Sequence, residues 1–423
     1  MLSAETSNNP KVLAIIGGGA AGFFCAVNAA RMNPELRVVI LERSNKILSK
    51  VRISGGGRCN VTHALFDIPE MSKRYPRGQH FVKKTFHQFF TTDTIQWFKE
   101  RGVNLKAEQD GRMFPVTDSS ETIIHCLLEE AGKYGVEIKM NADVKQVQPK
   151  EGSFDLVFAS GRKLPADFVC IACGGFPKSS LFEWIKELGH SFSEPVPSLF
   201  TFNLPSHPIS ELMGISMENA RLKIEGTKLV EEGPLLITHW GLSGPAVLKL
   251  SAWGARELAL KYYQFKVHVN WLPMLKEQEV REEFLEAKRQ HSIKKIVNHN
   301  VFHLPSRLWQ FLLLQSGINE DLRFSGLPSK AENLLVKNLT DYIVEVKGKT
   351  TYKEEFVTSG GITLSEVDPN TMMSRKWKNL FFAGEILDVD GITGGFNFQH
   401  AWTSGYIAAK NMFFEPQRHE DTK

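Results

Sequence analysis

Six residues, GGGAAG from Gly17 to Gly22, restrict this chain more than any other feature. They follow a short apolar run, KVLAII (Lys11–Ile16), that reads as a buried parallel strand. They lead into FFCAVNAARMN, which reads as a helix. Gly17, Gly19 and Gly22 fit G-x-G-x-x-G between strand and helix, the context that gives the pattern its meaning. Gly17 makes the tight turn, Gly19 lets backbone approach a diphosphate, and Gly22 lets the helix pack on the strand. The helix N-terminus attracts the phosphate charge. A second strand, RVVILE, ends in Glu42, 25 residues after Gly17, close to where a carboxylate meets a ribose hydroxyl. The register predicts a dinucleotide site; the weaker alternative is a plain βαβ unit with an incidental acid.

The stretch SGGGRCNVTH (Ser54–His63) begins 12 residues after Glu42, at the sheet edge that faces such a ligand. Its consecutive glycine N–H groups can form an anion nest. Arg58 is a candidate phosphate partner, and Asn60 can cap a turn or hold a ring edge. Cys59 has no second cysteine within three positions and no metal-ligand spacing around it, which argues against zinc. It reads as packed or cofactor-adjacent in preference to a nucleophile.

The remaining motifs are read against a 423-residue chain, long enough for two or three domains. Its 42% hydrophobic and 23% charged residues are ordinary for a soluble protein, and a net charge of +4 calls for neither nucleic acid nor membrane. Cys25, Cys59, Cys126, Cys170 and Cys173 are too few and odd in number for a disulfide framework, so reduced thiols in the cytoplasm are expected. The glycine-broken apolar start is not read as a targeting segment, and no run is long enough for a membrane span.

DSSETIIHCLLEEAGKYG predicts a helix with Asp118 as N-cap, Glu121 three residues on, and an end at Gly135. VEIKM, DVKQVQ, FDLVFA and KLPADFVCIACGG then predict a β-meander followed by a buried strand, with turns at KEGS and ASGR. A meander used as a crossover resembles the glutathione-reductase type of flavoprotein. Cys170 and Cys173 form C-x-x-C, but inside a strand such a pair points to opposite faces, so a structural role is expected. From about Pro195, short strands are expected in FTFNLP, ARLKIEG, GPLLITHWG and YYQFKVHVNWLP, with more in DYIVEVKGKTTYKEEFVTSGG. Helices are expected between them across 276–340, one opened by a Ser329/Glu332 capping box. GLSGP (Gly241–Pro245) nearly matches a nucleophile elbow, but its last glycine comes one place early; a turn before a helix is the plain reading.

Near the C-terminus, LFFAGE predicts a strand ending in Gly384 and Glu385, and TGG opens a helix over FNFQHAWTSGYIAAKNM. A second helix N-terminus would face the ligand, and Asp388 and Asp390 are acceptors suited to ribityl or ribose hydroxyls. These motifs together with GGGAAG, ISGGGRCNVTH and HWGLSGPAVLKLS resemble the bacterial family of FAD-binding NAD(P)/FAD-dependent oxidoreductases. That family is also called the aminoacetone oxidase family and includes BaiN-type bile-acid reductases. The resemblance spans nearly the whole chain. It implies FAD contacts at Gly17, Gly19, Ala21, Gly22, Glu42, Arg43 and Lys50. It implies further contacts at Ser54, Gly55, Gly56, Gly57, Arg58, Cys59, Asn60, Val144 and Gly174. The last set is Gly384, Glu385, Asp388, Gly394, Gly395, Phe396 and Asn397. Two departures stand out. FPKSSLFEWIKELGH replaces a longer glycine-rich run, and His63 stands where many members have Asn.

The resulting expectation is an α/β chain. A Rossmann-type FAD domain (1–194 and 356–423) would be interrupted by a β-barrel-like module (195–275 and 341–355) and a helical module (276–340). Function would be hydride transfer through flavin N5 to or from a small organic substrate bound between the flavin domain and the insert. NAD(P)H is left open as a transient donor, since no second G-x-G-x-x-G is present. No metal and no nucleic acid are expected. No catalytic residue is assigned; Cys59 and His239 are left open. A flavin-binding sensor or scaffold without turnover and an RNA-modifying flavoprotein are the alternatives.

Overall fold

A computed structural model describes residues 10–350 and 357–412. The chain divides into two compact units, Met1–Val196 with Lys353–Lys423, and Pro197–Tyr352. The first is built on a five-stranded parallel sheet. Its strands are β1 (Val12–Ile16), β2 (Arg37–Leu41), β3 (Glu137–Lys139), β4 (Phe168–Ile171) and β5 (Leu380–Phe382), in the order β5-β4-β1-β2-β3. VLAII, RVVIL, FVCI and LFF are nearly all buried, as strands covered on both faces must be.

Three helices matter for the site: α1 (Ala20–Met32), α2 (Ser120–Lys133) and α3 (Phe396–Lys410). α1 and α3 pack closely because Gly405 presents no side chain; a Cβ there would stand 2.7 Å from the Ala21 carbonyl oxygen. Phe24, Phe98 and Trp402 fill the space beside that contact.

The meander is shorter than the sequence suggests. Val144–Lys150, Ser153–Phe158 and Lys163–Ala166 form it, whereas VEIKM supplies β3, which pairs with β2 in the parallel sheet. KLPADFVCI is two strands broken at Asp167, whose carboxylate accepts from Val12 N at 2.8 Å and pairs with Lys11. Cys173 lies beyond the end of β4, while buried Cys170 is within it. The N-cap of α2 is Ser119, not Asp118: the Ser119 hydroxyl accepts from Glu121 N, and Asp118 is left-handed (φ 52°).

The second unit holds a seven-stranded antiparallel sheet with strands Thr201–Asn203, Ser216–Ile224, Val230–Thr238, Gly241–Ser243, Gln264–Asn270, Tyr342–Lys347 and Lys349–Thr350. Helices Glu277–Gln290, Ser306–Gln315 and Ser329–Thr340 share one core with it: Leu222 and Val267 belong to the same cluster as Phe284, Trp309 and Leu335. The expected Ser329/Glu332 box is absent because Ser329 is already helical and Glu332 pairs with Lys288. GLSGP is a turn into helix Pro245–Trp253, with Gly244 at φ 97° and Pro245 opening the helix. Residues 351–356 of the last expected strand segment lie outside the described residues.

Before the chain leaves the first unit, a buried relay fastens it. His190 Nδ1 meets Glu366 Oε2 at 2.9 Å, and Ser374 Oγ meets His190 Nε2 at 3.0 Å. Ser374 Oγ also accepts from Lys376 N and Trp377 N, so its own proton goes to Nε2 and the imidazole is neutral. Burial pushes His190 below its ordinary 6.5 against the pull of Glu366. Against the effect of burial, hydrogen bonds from Lys376, Ser191 and His190 hold Glu366 down at about 2.

A depressed histidine stabilises the fold above its unfolded value near 6.5, and that stability is lost as pH falls below it. Unfolding free energy should therefore decline below that point, and His190→Gln should reduce the slope in pH-dependent denaturant melts. Ser374→Ala leaves a buried ring nitrogen unpaired and should cost about 1–3 kcal/mol in the same assay.

Candidate functional site

The site is built where β1, β4 and β5 end. Gly17 turns at φ 116°, and a Cβ there would lie 2.5 Å from the Ala172 carbonyl oxygen. At Gly22 a Cβ would lie 2.0 Å from the Gly17 carbonyl oxygen, so only glycine lets α1 start this close to the sheet. Gly19 is the N-cap of α1, has no side-chain cap and faces open space, with nothing within 4 Å of its Cβ position. The first N–H groups of α1 are thus unmasked toward that space.

Glu42 stands beside the turn. Its Oε2 accepts from Gly18 N at 2.9 Å, and its Oε1 accepts from Ser44 N and Oγ. Arg43 is exposed. Lys50 reaches Glu385 at 2.5 Å, and Glu385 also accepts from Thr358 N at 2.9 Å. Gly174 and Gly384 are left-handed (φ 77° and 75°); Gly384 N donates to Ser404 Oγ, and Ala21 lies against the Gly384 Cβ position. Val144 is buried in the meander.

The SGGGRCN stretch is a helical turn that breaks at Ser54 into a left-handed run, Gly55, Gly56 and Gly57 at φ 59°, 69° and 84°, followed by Cys59 at 62°. Nothing stands within 4 Å of the Cβ positions of Gly56 or Gly57. With its amide oxygen toward Gly395, Asn60 accepts from Gly395 N and donates to the Thr62 carbonyl, each at 3.0 Å. This bond joins the glycine loop to the start of α3. Gly395 (φ 91°) must be bare, because a Cβ would come within 2.5 Å of the Thr62 carbonyl oxygen.

Two expected ligands are committed elsewhere. Arg58 Nη1 binds Glu108 at 2.6 Å, and its guanidinium lies 4.0 Å above the Phe114 ring. Asp390 does not offer itself to hydroxyls: it is fully buried and held by Arg77 through Nε at 2.6 Å and through Nη2. Asp388 accepts from Ser193 Oγ at 2.7 Å. Asn397 closes a small loop by accepting from Gly391 N and donating to the Gly391 carbonyl.

Several contributors escape sequence reasoning. His63 meets the Gly394 carbonyl through Nδ1 at 2.9 Å and stacks on Phe396. Tyr75 donates to the Phe396 carbonyl at 2.6 Å. Gln399 accepts from Thr62 and Thr94 and donates to Thr403, a buried network that fixes α3. Buried Thr358 Oγ1 and Ser359 Oγ have no hydrogen-bond partner, and burial holds His400 down at about 4 against a backbone hydrogen bond with Gly384.

Burial pushes the Cys59 thiol up to about 12 and raises Tyr75, so the loop carries neither a thiolate nor a phenolate. Among the described residues no group of three His, Cys, Asp or Glu is placed to hold a metal, and no helix is long and apolar enough to cross a membrane. What the site offers is bare backbone, two helix N-termini and orphaned hydroxyls. That donor set fits a dinucleotide such as FAD.

Residues 11–411 match the family described as HI0933-like protein Rossmann domain. The chain is 29% identical to the 3-dehydro-bile acid delta(4,6)-reductase of Clostridium scindens, over 94% of this chain and 98% of that protein. It is 31% identical to the ribosomal RNA dihydrouridine synthase of Escherichia coli, over 94% and 97%. Among solved structures, 3-ketosteroid-delta4-(5alpha)-dehydrogenase from Rhodococcus jostii has the same fold, with a TM-score of 0.50 at 12% identity over 96% of this chain and 99% of that one.

Gly395→Ala should lower stability by about 1–3 kcal/mol, since it combines a left-handed backbone with a clash at Thr62. It should also weaken FAD retention. Thermal melts with and without added FAD measure both.

Proposed function

The chain belongs to the HI0933-like family of Rossmann-domain proteins and is an FAD-dependent oxidoreductase, and on that premise we propose that it reduces a carbon–carbon double bond conjugated to a carbonyl, with NAD(P)H as electron donor. The names of two relatives support this class of substrate. Delta(4,6) unsaturation in a 3-dehydro bile acid is a dienone. Dihydrouridine arises by saturating the uracil double bond next to a ring carbonyl. Each saturates a carbon–carbon double bond conjugated with a carbonyl, with hydride added at the β or vinylogous δ carbon and a proton at the adjoining carbon.

FAD, when bound, supplies the hydride at N5. The observation that supports the reading is the paired start of α1 and α3, each at a glycine without a side-chain cap. The α1 start, with Gly17 and Gly19, would hold the diphosphate, and Glu42 would accept from a ribose hydroxyl. The α3 start, with Gly394 and Gly395, would favour negative charge at the ring end. The glycine loop Gly55–Gly57 would close over the cofactor and exclude water, anchored by Asn60. With no thiolate or phenolate at hand, these residues position and polarise.

The net charge of +4 is no ground for setting nucleic acid aside, because a relative named for ribosomal RNA is as similar as the one named for a bile acid. The carrier of the conjugated double bond is therefore an outcome of the test. Anaerobic protein is mixed with NADH or NADPH, then with a steroid 4-en-3-one or with uridine-containing ribosomal RNA. The expected result is bleaching of the flavin, followed by recovery of colour with one of the two acceptors and formation of its saturated product. A flavin that neither nicotinamide bleaches would exclude that donor. A bleached flavin that no conjugated acceptor reoxidises would overturn the substrate class and favour a sensor.

A further inference from the structure

We propose that the Lys50–Glu385 ion pair is a strap across the cofactor cradle: it opens to admit the diphosphate, and Lys50 then turns from Glu385 to the phosphates. The proposal rests on the flavoprotein reading above.

The two ends of the strap stand on opposite walls of the glycine turn. On one wall, Leu48 N donates to the Gly18 carbonyl at 2.8 Å, and the Ile47 side chain lies 2.9 Å from where a Gly18 Cβ would be. Lys50 follows two residues later. On the other wall, a Gly384 Cβ would meet Ala21 Cβ at 2.7 Å, in the first turn of α1. Glu385 is the next residue. The 2.5 Å contact of Lys50 Nζ with Glu385 Oε2 therefore joins walls that both border the α1 start. Gly19, the N-cap of α1, faces open space.

The acid is the fixed end. Its side chain is 17% exposed, whereas that of Lys50 is 45% exposed. Thr358 N holds its other oxygen at 2.9 Å. Gly175 must be bare to make room, since a Cβ would lie 3.1 Å from Glu385 Oε1 and 2.6 Å from Thr358 Oγ1. That threonine oxygen is buried and unpartnered, a second donor waiting at the same wall. Lys50 is the mobile end, a flexible point charge on a long stem.

The electrostatics set the direction of the switch. A carboxylate beside the α1 start repels an arriving diphosphate, and the lysine that would attract it is occupied. Half-exposed ion pairs are weak and screened by salt. Salt therefore releases Lys50 and speeds the entry of the anion. Without the strap, salt would only screen the attraction of the helix start and slow entry. Glu385 acts as a positioning residue through Lys50.

The test is stopped-flow association of FAD with apoprotein, followed by flavin fluorescence from low to moderate ionic strength. In the wild type the association rate should rise with salt. In Glu385→Gln it should be roughly three- to tenfold higher at low salt and should fall with salt. Lys50→Met leaves Glu385 without its cation beside the α1 start, so it should bind more slowly than the wild type at low salt, and FAD should dissociate roughly tenfold faster. Glu385→Asp should restore the wild-type sign in part. A wild-type rate that falls with salt overturns the strap, and needs no variant. Equal rates in wild type and Glu385→Gln overturn it as well. Failure of the wild-type chain to bind FAD at all sinks the flavoprotein reading instead.

Discussion

The crowding at Gly17 sets the rest of the structure. The strand β1 must turn within one residue, the backbone of Ala172 and Cys173 passes directly beside that turn, and Gly22 sits on the Gly17 carbonyl. A side chain at either position would push α1 off the sheet, and the open space at Gly19 would lose its aim. α3 then packs against α1 through Gly405, and Gly384 packs against Ala21. Thus the elements that border the ligand space are all placed by where side chains are missing. The polar residues around them act on a frame that bare backbone has already fixed.

Polar side chains at such a site have two possible uses, holding the ligand or holding the protein. Arg58 and Asp390 do the second. Arg58 is stacked on Phe114 and paired with Glu108; Asp390 is locked with Arg77 in the interior. An unpaired charge at the Asp390 position would be costly, so its partner is structural necessity. On the proposed reading, the groups that would meet the ligand are backbone amides, Glu42, Lys50 and buried hydroxyls. This division explains how the site can suit a cofactor that carries its own chemistry, since the chain adds position and field and little reactivity.

The parts legible in the sequence were those whose causes are local. Strand, glycine turn, helix and second strand lie within thirty residues and specify one another, and the glycine loop at Ser54 announces its left-handed run. The helix and strand pattern of Pro197–Tyr352 was likewise readable from periodicity. What was not legible depends on distant partners. Glu108 is 50 positions from Arg58, and Asp390 is 313 from Arg77, so no spacing rule could pair them. Ser119 displaced Asp118 as cap because the backbone turns left-handed one residue earlier than the spacing implies. Glu332 abandoned its helix start for Lys288 across the core. The Asn60–Gly395 bond, which unites the two glycine motifs, spans nearly the whole unit in sequence.

The central claim is that the glycine turn at Gly17–Gly22 holds a dinucleotide. The most direct measurement is to release the chromophore of the purified protein by heat and determine its mass and its molar ratio to the chain. The account predicts FAD at about one per chain, with its loss in a Gly19→Leu variant that fills the open space before α1. Released FMN, or a protein that is colourless and takes up no added FAD, would contradict it.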